Sequence, residues 1–256
     1  MSGLVLRLAA PLQSWGEHSV FNSRDTVRFP TRSGLIGLLA AAEGRPRGAS
    51  LADYDDLSFT VRIDRPGMPL ADFHTIGGGR AKHATVPTAD GKRRSEETAT
   101  IVTRRHYLSD AAFTVAVTGS SELISRIGVA LHSPRWPPFL GRRSCPPDPP
   151  LVLRADAADP VADLTERVPV HSRPRTAGHD NSDGELDLVT EDERAAATTV
   201  TTLADVPESF DRLDRRYRTR TVSVAPSTIP GHLWHTDIRE YRKALYEYMG
   251  VTAACG

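Results

Sequence analysis

Residues 6–37 read LRLAAPLQSWGEHSVFNSRDTVRFPTRSGLIG, and the local signals in this stretch decide the fold. Residues 3–9 are apolar with a single interruption, which predicts a buried strand. A turn-rich run follows, after which Thr31 or Ser33 caps a helix that Gly44 ends. The start of a helix that follows arginines favours an anion, because its free amide groups and the helix dipole are both positive there. The stretch therefore predicts a strand, a polar loop and a helix whose first turn is a phosphate site.

The rest of the first half continues this alternation of strand and helix. The sequence predicts strands at residues 59–63, 70–76 and 112–117 and a helix from Ser120 or Ser121 to residue 132. The first two strands flank Pro66-Gly67, which is a signal for a hairpin between them. Residues 77–105 are basic without apolar periodicity and predict an arm that leaves the sheet and returns to it. This order predicts an α+β fold with a ferredoxin-like (RRM-like) sheet and helices on one face.

The chain is expected to contain one main domain and an appendage. Residues 1–150 are predicted to form the ferredoxin-like domain and residues 151–256 a smaller C-terminal extension. Within the extension, residues 154–193 are acidic and poor in aromatic side chains, which predicts a flexible loop. Residues 215–226 alternate as a late strand, and residues 236–249 have the pattern of an amphipathic helix.

Charge is balanced over the whole chain but unevenly distributed. There are 32 basic and 32 acidic residues, and the basic ones gather at 24–32, 80–105 and 135–143. Binding of nucleic acid depends on the local field, so a net charge of zero does not exclude it. Cys145 and Cys255 lack metal-ligand spacing and predict neither a disulfide framework nor a metal site. No apolar run is long enough to cross a bilayer, and we expect a cytoplasmic protein without a membrane partner.

Several motifs resemble those of a known family. They are LQSWGEHSVFNSRDTVRFPTRSGLIGLL, RIDRPGMPLADFHTIGGG and FLGRRSCPP, with YRTRTVSVAPSTI near the C-terminus. The chain is similar in these blocks to the CasD subunits of type I-E CRISPR Cascade complexes. The resemblance implies a repeat-associated mysterious protein (RAMP) domain, in which the basic arm at residues 77–107 is the β-hairpin thumb of the family. The acidic stretch is longer than the family pattern requires.

The resemblance also implies a role in antiviral defence. In that family the subunit caps the 5′ handle of CRISPR RNA and contacts the large subunit CasA and the backbone subunit CasC. Target DNA would be met only through the assembled ribonucleoprotein complex. The family member has no catalytic role in type I-E systems, whereas a related branch in type I-C systems is a metal-independent endoribonuclease.

Single-stranded RNA is held by neutralising phosphates, by stacking bases and by contacting base edges or 2′-hydroxyls. The side-chain types that do this occur in three loops. The predicted RNA-binding residues are Gln13, Trp15, Ser23, Arg24, Arg28, Arg32, Arg104, Arg105, His106, Arg142 and Arg143. The predicted thumb residues are Gly77, Gly78, Gly79, Arg80, Lys82, Lys92, Arg93 and Arg94, with the three glycines as a hinge. Trp15 has an alternative as a buried aromatic that packs the loop against the sheet.

Two other functions stay open from the sequence. A repeat-cutting ribonuclease needs a general base and a general acid, and the candidates are His74, His83, His106 and Tyr107, with Lys82 or Lys92 to stabilise charge. A purely structural adaptor needs none of these groups. His232 and His235 lack partner ligands, so we expect neither a metal nor a cofactor.

Overall fold

The computed structural model describes residues 3–17, 19–20, 22–88, 90–171, 182–191, 197–211 and 214–251. These residues form a mixed α+β fold with four α-helices: α1 Arg32–Glu43, α2 Ser121–His132, α3 Pro160–Glu166 and α4 Ile238–Met249. The strands of the first half are β1 Gly3–Ala9, β2 Leu12–Gln13, β3 Ser19–Val20, β4 Ser23–Arg24, β5 Ser58–Arg65, β6 Met68–Ile76, β7 Ile101–Ser109 and β8 Ala112–Thr118. The later strands are β9 Val152–Ala157, β10 Val170–His171, β11 Gly184–Thr190, β12 Thr199–Phe210, β13 Arg215–Ile229 and β14 Trp234–His235.

The main sheet has seven antiparallel strands in the order β12-β13-β11-β5-β8-β1-β9. Leu4, Leu6 and Leu8 of β1 point to the core shared with α1 and α2. Val5 points to the opposite side and packs in a second cluster with Leu164 of α3 and with α4. The two helices predicted for the first half, α1 and α2, thus lie on one face of the sheet as expected, and α3 and α4 of the extension cover the opposite face of β1, which is apolar on both sides.

The helix boundaries in the first half follow the predicted caps. The Thr31 side chain accepts a hydrogen bond from the Gly34 amide at 3.3 Å, and Gly44 ends α1 with a φ of 72°. Ser120 accepts a hydrogen bond from the Leu123 amide at the start of α2. A side-chain acceptor at the first position and a left-handed glycine at the last satisfy the free backbone groups of a helix. Both predicted helices are confirmed.

The predicted hairpin across Pro66-Gly67 is wrong. β5 pairs with β8 and β11 in the main sheet, whereas β6 pairs along its whole length with β7 in a second, smaller sheet. Gly67 has a φ of 69°, and a Cβ there would lie 2.8 Å from both the Ser109 carbonyl oxygen and the Ala111 Cβ. The turn therefore passes the chain from one sheet to the other, past the tight β7–β8 connection. A turn at Pro66-Gly67 is compatible both with a hairpin and with a crossover between sheets, and the pairing of each strand with a distant partner decides which of the two forms.

The acidic stretch is largely structured, which corrects the prediction of a flexible loop over residues 154–193. It contains most of β9 together with α3, β10 and β11, and buries apolar side chains such as Leu164 and Leu188 between its carboxylates. Asp163 is itself buried and accepts a hydrogen bond from the Tyr248 hydroxyl at 2.7 Å. Residues 172–181 and 192–193 of the predicted loop lie outside the described residues, as does Cys255.

The C-terminal extension shares a sheet with the first 150 residues. β9, β11, β12 and β13 lie in the seven-stranded sheet beside β1, β5 and β8, and Val189, Leu203 and Val222 belong to the same apolar core as α1. The late strand is confirmed and extends to Ile229, but its partner β12 was not predicted. Helix α4 is confirmed with its start at Ile238. Among the described residues, no helix has the length and apolar character needed to span a bilayer.

Candidate nucleic-acid interface

A small second sheet carries most of the predicted RNA-binding residues. β7 lies between β6 on one side and the short strands β2 and β4 on the other. β4 runs parallel to β7 and places Ser23 beside Arg104 and Arg24 beside Arg105. The Arg104 amide donates to the Asn22 carbonyl at 2.7 Å, which fixes the start of β4 against the hairpin. Two segments that are about eighty residues apart in sequence thus meet in one sheet.

The register divides the arginines between the two faces of the small sheet. Because successive side chains of a strand point to opposite faces, Arg24 and Arg105 share one face with Tyr107, which we call the Arg24 face. Ser23, Arg104 and His106 lie on the other side with Phe73, which we call the Phe73 face.

Arg142 is anchored on the Arg24 face. Its Nη2 atom donates to the Arg24 carbonyl at 3.1 Å, and its guanidinium lies 4.8 Å from the centroid of the buried Tyr107 ring. Gly141, with a φ of 80°, approaches the Ser14 carbonyl so closely that a Cβ would lie 1.6 Å from it. Only glycine fits there. Arg142 therefore joins the loop that precedes Cys145 to β4, while Arg143 is exposed.

The loop around Cys145 is held by backbone hydrogen bonds. The Leu140 amide donates to the Cys145 carbonyl at 2.8 Å, and the Ser14 amide donates to the Leu140 carbonyl at 3.2 Å. Burial of Cys145 raises the pKa of its thiol, so the thiol is a packing group and remains protonated at neutral pH.

Phe73 is the residue that sequence reasoning missed. It is 62% exposed on β6, and the Arg104 guanidinium lies 5.3 Å from its ring centroid. The neighbouring Val102 is 49% exposed. The signal in the sequence is weak, because an aromatic side chain in a strand normally indicates the core. Only the folded chain, through the exposure of Phe73 and Val102, shows that this face of β6 is uncovered in the described part of the chain.

The arginines of the interface have no ion-pair partner in the part of the chain that the structure describes. Among the described residues, no carboxylate lies within ion-pair distance of a set of arginines that share this region, namely Arg24, Arg28, Arg104, Arg105, Arg142 and Arg143. Asp72 lies opposite Arg105 in the ladder, but its Oδ2 atom is 2.6 Å from Nε2 of His74. Guanidinium groups without carboxylate partners attract anions and match phosphate geometry on either face of the small sheet.

Gln13 and Trp15 are buried, which removes them from the predicted RNA-binding set. Both are fully buried, and the Trp15 indole donates to Oε1 of Gln13 at 3.1 Å. Nε2 of Gln13 donates to the carbonyls of Leu8 and Ala111 at 3.0 and 2.8 Å. The pair ties the polar loop to β1 and to the β7–β8 turn. Trp15 therefore takes the alternative role of packing the loop against the sheet.

Arg32 is also buried, and the phosphate site predicted at the start of α1 is occupied by the protein. The Arg32 amide, in the first turn of α1, donates to Oδ2 of Asp205 at 2.7 Å. The Arg32 guanidinium binds Oε1 of Glu191 at 2.8 Å and the Leu57 carbonyl at 2.7 Å. A carboxylate from β12 thus occupies the position expected for a phosphate, and the Arg32 side chain is too buried to contact RNA.

The predicted thumb residues lie in the long connection between β6 and β7. Gly77 and Gly79 have positive φ values of 84° and 67°, as a turn at the end of β6 requires. The connection folds around Thr85, whose hydroxyl donates to the Lys82 carbonyl at 2.8 Å. The remaining predicted thumb residues are exposed: Gly78, Arg80, Lys82, Lys92, Arg93 and Arg94.

The groups considered for RNA cleavage are not brought together. His74 lies on the Arg24 face, and His106 lies on the Phe73 face. Tyr107 is buried under Arg142, and His83 is exposed in the β6–β7 connection. A base and an acid on opposite faces cannot act on one phosphodiester. In the described ranges, no three His, Cys, Asp or Glu side chains are grouped as metal ligands.

Comparison with known proteins identifies relatives over most of the chain. The family model described as CRISPR-associated protein (Cas_Cas5) matches residues 3–223. The curated CRISPR system Cascade subunit CasD of Escherichia coli (strain K12) is 40% identical over 197 residues, which cover 70% of this chain and 84% of the relative. A chain of a solved CRISPR RNA-guided surveillance complex is 52% identical with a TM-score of 0.86, covering 97% of this chain and 99% of that one. A crystal structure of a Cas protein is 30% identical with a TM-score of 0.62, covering 92% and 100%.

Proposed function

This chain belongs to the CRISPR-associated Cas5 family, and we propose that it is the noncatalytic Cascade subunit that binds and caps the 5′ handle of CRISPR RNA. The observation that carries the proposal is the group of arginines without carboxylate partners on and beside the small sheet. The similarity to CasD and to a chain of an RNA-guided surveillance complex supports the proposal that this chain is a subunit of such a complex. In that assembly it would act in the cytoplasm and meet target DNA only through the complex.

The strand order supports the finer description of the fold. Without the strands of the small sheet, the chain order is strand, helix, strand, strand, helix and strand, formed by β1, α1, β5, β8, α2 and β9. The four strands lie side by side in the order β5-β8-β1-β9. This is the connectivity of a ferredoxin-like domain. We therefore propose a RAMP domain in which the β6–β7 hairpin and its basic connection are the thumb.

The β6–β7 hairpin also supports a bridging role between the guide and neighbouring subunits. Met68, Leu70 and Ile76 are exposed by 74%, 43% and 37% and lie on the Arg24 face. An exposed row of large apolar side chains marks a protein contact. We propose that this row docks on the backbone subunit CasC, while the large subunit CasA meets the capped end of the RNA.

The proposed RNA-binding set excludes the three buried side chains. It consists of residues that are exposed or half-buried in the structure: Ser23, Arg24, Arg28, Arg104, Arg105, His106, Arg142 and Arg143. Arg142 has a second task, because its contact with Tyr107 and its bond to the Arg24 carbonyl position β4. The basic side chains of the thumb would add phosphate contacts along the backbone of the guide.

The test is handle binding by the full chain as a function of salt. The probe is a 5′-end-labelled RNA that carries the repeat-derived handle of the same CRISPR array, compared with a scrambled handle. We expect Arg24→Ala with Arg104→Ala to lose affinity and to flatten the salt dependence by about 1.4 in logarithmic slope, or about 0.7 for each lost phosphate contact. The matched control is Arg215→Ala with Arg242→Ala, two exposed arginines that no carboxylate pairs in the described residues.

Equal loss in both double variants, or none in either, would contradict the proposed site. The same reactions in EDTA, resolved on a denaturing gel, test the other two functions. Cleavage of the RNA at one defined position would show that the protein is a ribonuclease and not a noncatalytic cap. Tight binding to sister subunits without RNA, together with no handle binding, would leave a structural adaptor.

A further inference from the structure

Phe73 is placed where folding gives no reason for it. Burying a phenylalanine stabilises a fold, and this side chain leaves 62% of its surface in solvent on an edge strand. The other large apolar side chains of β6, such as Leu70 and Ile76, lie on the Arg24 face. Phe73 is therefore not part of the apolar row assigned above to a protein neighbour.

The surroundings of Phe73 are polar and basic. Its ladder partner Arg104 stacks on it at 5.3 Å, and Ser23 lies beyond Arg104 in the same row of the sheet. His106 is the next side chain of β7 on this face. These groups are the ones that hold a splayed nucleotide in proteins that bind single-stranded RNA. The aromatic ring stacks on the base, the arginine binds the phosphate, and the hydroxyl and imidazole groups contact the sugar or the base edge.

We propose that Phe73 is a stacking platform for one unpaired base of the bound RNA, with Arg104 turned to the adjoining phosphate. This inference rests on the proposed function and adds to it a specific contact and a specific face. The charge favours a nucleotide over a protein side chain, because Arg104, which stacks on Phe73, has no carboxylate partner among the described residues. An apolar protein surface packed on the Phe73 ring would bury the charge of Arg104 without compensation, at a large desolvation cost.

The experiment separates aromatic stacking from apolar packing. Phe73 is replaced by Trp, Leu and Ala in the full chain, and the affinity for the handle RNA is measured at constant salt. We expect Phe73→Trp to bind as tightly as the parent or tighter, whereas Phe73→Leu and Phe73→Ala both weaken binding by roughly 5- to 100-fold, as loss of one stacked base does. Val102→Ala is the matched control, since Val102 is an exposed apolar side chain on the same face without a ring.

A cross-link gives a second readout that does not depend on affinity. Handle RNAs with 5-iodouridine at successive positions are irradiated with the protein, and the modified residue is located by mass spectrometry. We expect one position to react with Phe73, and that adduct to persist with tryptophan and to disappear with leucine.

The outcomes distinguish this inference from the function on which it rests. If the parent chain does not bind handle RNA, the proposed function fails. If the parent binds and Phe73→Ala binds equally well without a cross-link at this residue, the stacking platform is overturned while the arginine site stands. If leucine retains full affinity and only alanine weakens binding, Phe73 makes an apolar contact and no base stacks on it. Equal urea midpoints of the parent and of the Phe73 and Val102 variants show that the substitutions change RNA affinity without changing the stability of the fold.

Discussion

Asp205 is the residue whose loss we expect to cost this fold most among its charged groups. It is fully buried, and it accepts two hydrogen bonds from the Arg220 guanidinium at 2.7 and 2.8 Å and a third from the Arg32 amide at 2.7 Å. Glu191 also binds both arginine side chains, but it is a quarter exposed. The perturbation is Asp205→Asn, which keeps the size of the side chain and removes its charge.

The magnitude follows from what the substitution leaves behind. Removing one partner of a buried ion pair typically costs about 3–5 kcal/mol, because the remaining charge loses its compensation. Glu191 still neutralises part of the charge of Arg32 and Arg220, and asparagine can still accept one hydrogen bond. We therefore expect a loss near the lower end, about 3 kcal/mol, which is a large share of a total stability of about 5–15 kcal/mol.

Urea unfolding followed by circular dichroism measures this loss. With a slope of about 2–3 kcal/mol/M, the midpoint falls by roughly 1 M or more. Asp214→Asn is the control, because Asp214 pairs with Arg216 at 3.3 Å with both side chains 63% exposed, and such a pair contributes about 0–1 kcal/mol. Adding Arg220→Met to Asp205→Asn should recover part of the stability, since it removes the uncompensated cation. A midpoint for Asp205→Asn equal to that of the control would refute the reasoning.

Three further changes test other parts of the structure. Gly141→Ala places a Cβ against the Ser14 carbonyl, so we expect a lower melting temperature and weaker handle binding than for Gly250→Ala, which shares a positive φ but has open space around it. Tyr248→Phe removes a buried hydrogen bond to a carboxylate, and calorimetry should show a loss of about 1.5–3 kcal/mol. Burial on its own raises the pKa of Glu43, but hydrogen bonds from Tyr54 and two arginines outweigh it and hold that pKa below its ordinary value. Its contribution to stability is therefore fully present above the pKa of the unfolded chain and is lost as the pH falls through the lower pKa of the folded state, so the difference in stability between the parent and Glu43→Gln should be the same at neutral and mildly acidic pH and smaller in strong acid.

Features with a short sequence range were predictable. The caps at Thr31 and Ser120, the glycine stop at Gly44 and the apolar period of α4 each act within one or two turns of chain, and the structure follows them. The same holds for the strands β1 and β8, which are apolar apart from one polar residue inside each strand. The family motifs were equally local, and the comparison with the Cas5 family confirms them.

The acidic stretch shows where composition misleads. Its charge suggests a solvated loop, but isolated apolar residues such as Leu164 and Leu188 recur often enough to anchor a helix and a strand. How much these residues stabilise the fold depends on the elements they pack against, which are β5, β8 and α4. A pattern too sparse to fold alone becomes sufficient when another element covers it.

The sequence by itself determined most helices and strands of the first half, the late strand, the last helix and the places where most positive charge gathers. Tertiary structure decided which polar groups remain available. It buried Gln13, Trp15 and Arg32, and it placed Asp205 at the start of α1 where a phosphate was expected. It also left Phe73 exposed beside Arg104. The reason is physical: capping and periodicity are local interactions between neighbours in sequence, whereas burial and charge compensation depend on partners that only the folded chain brings within a few ångströms.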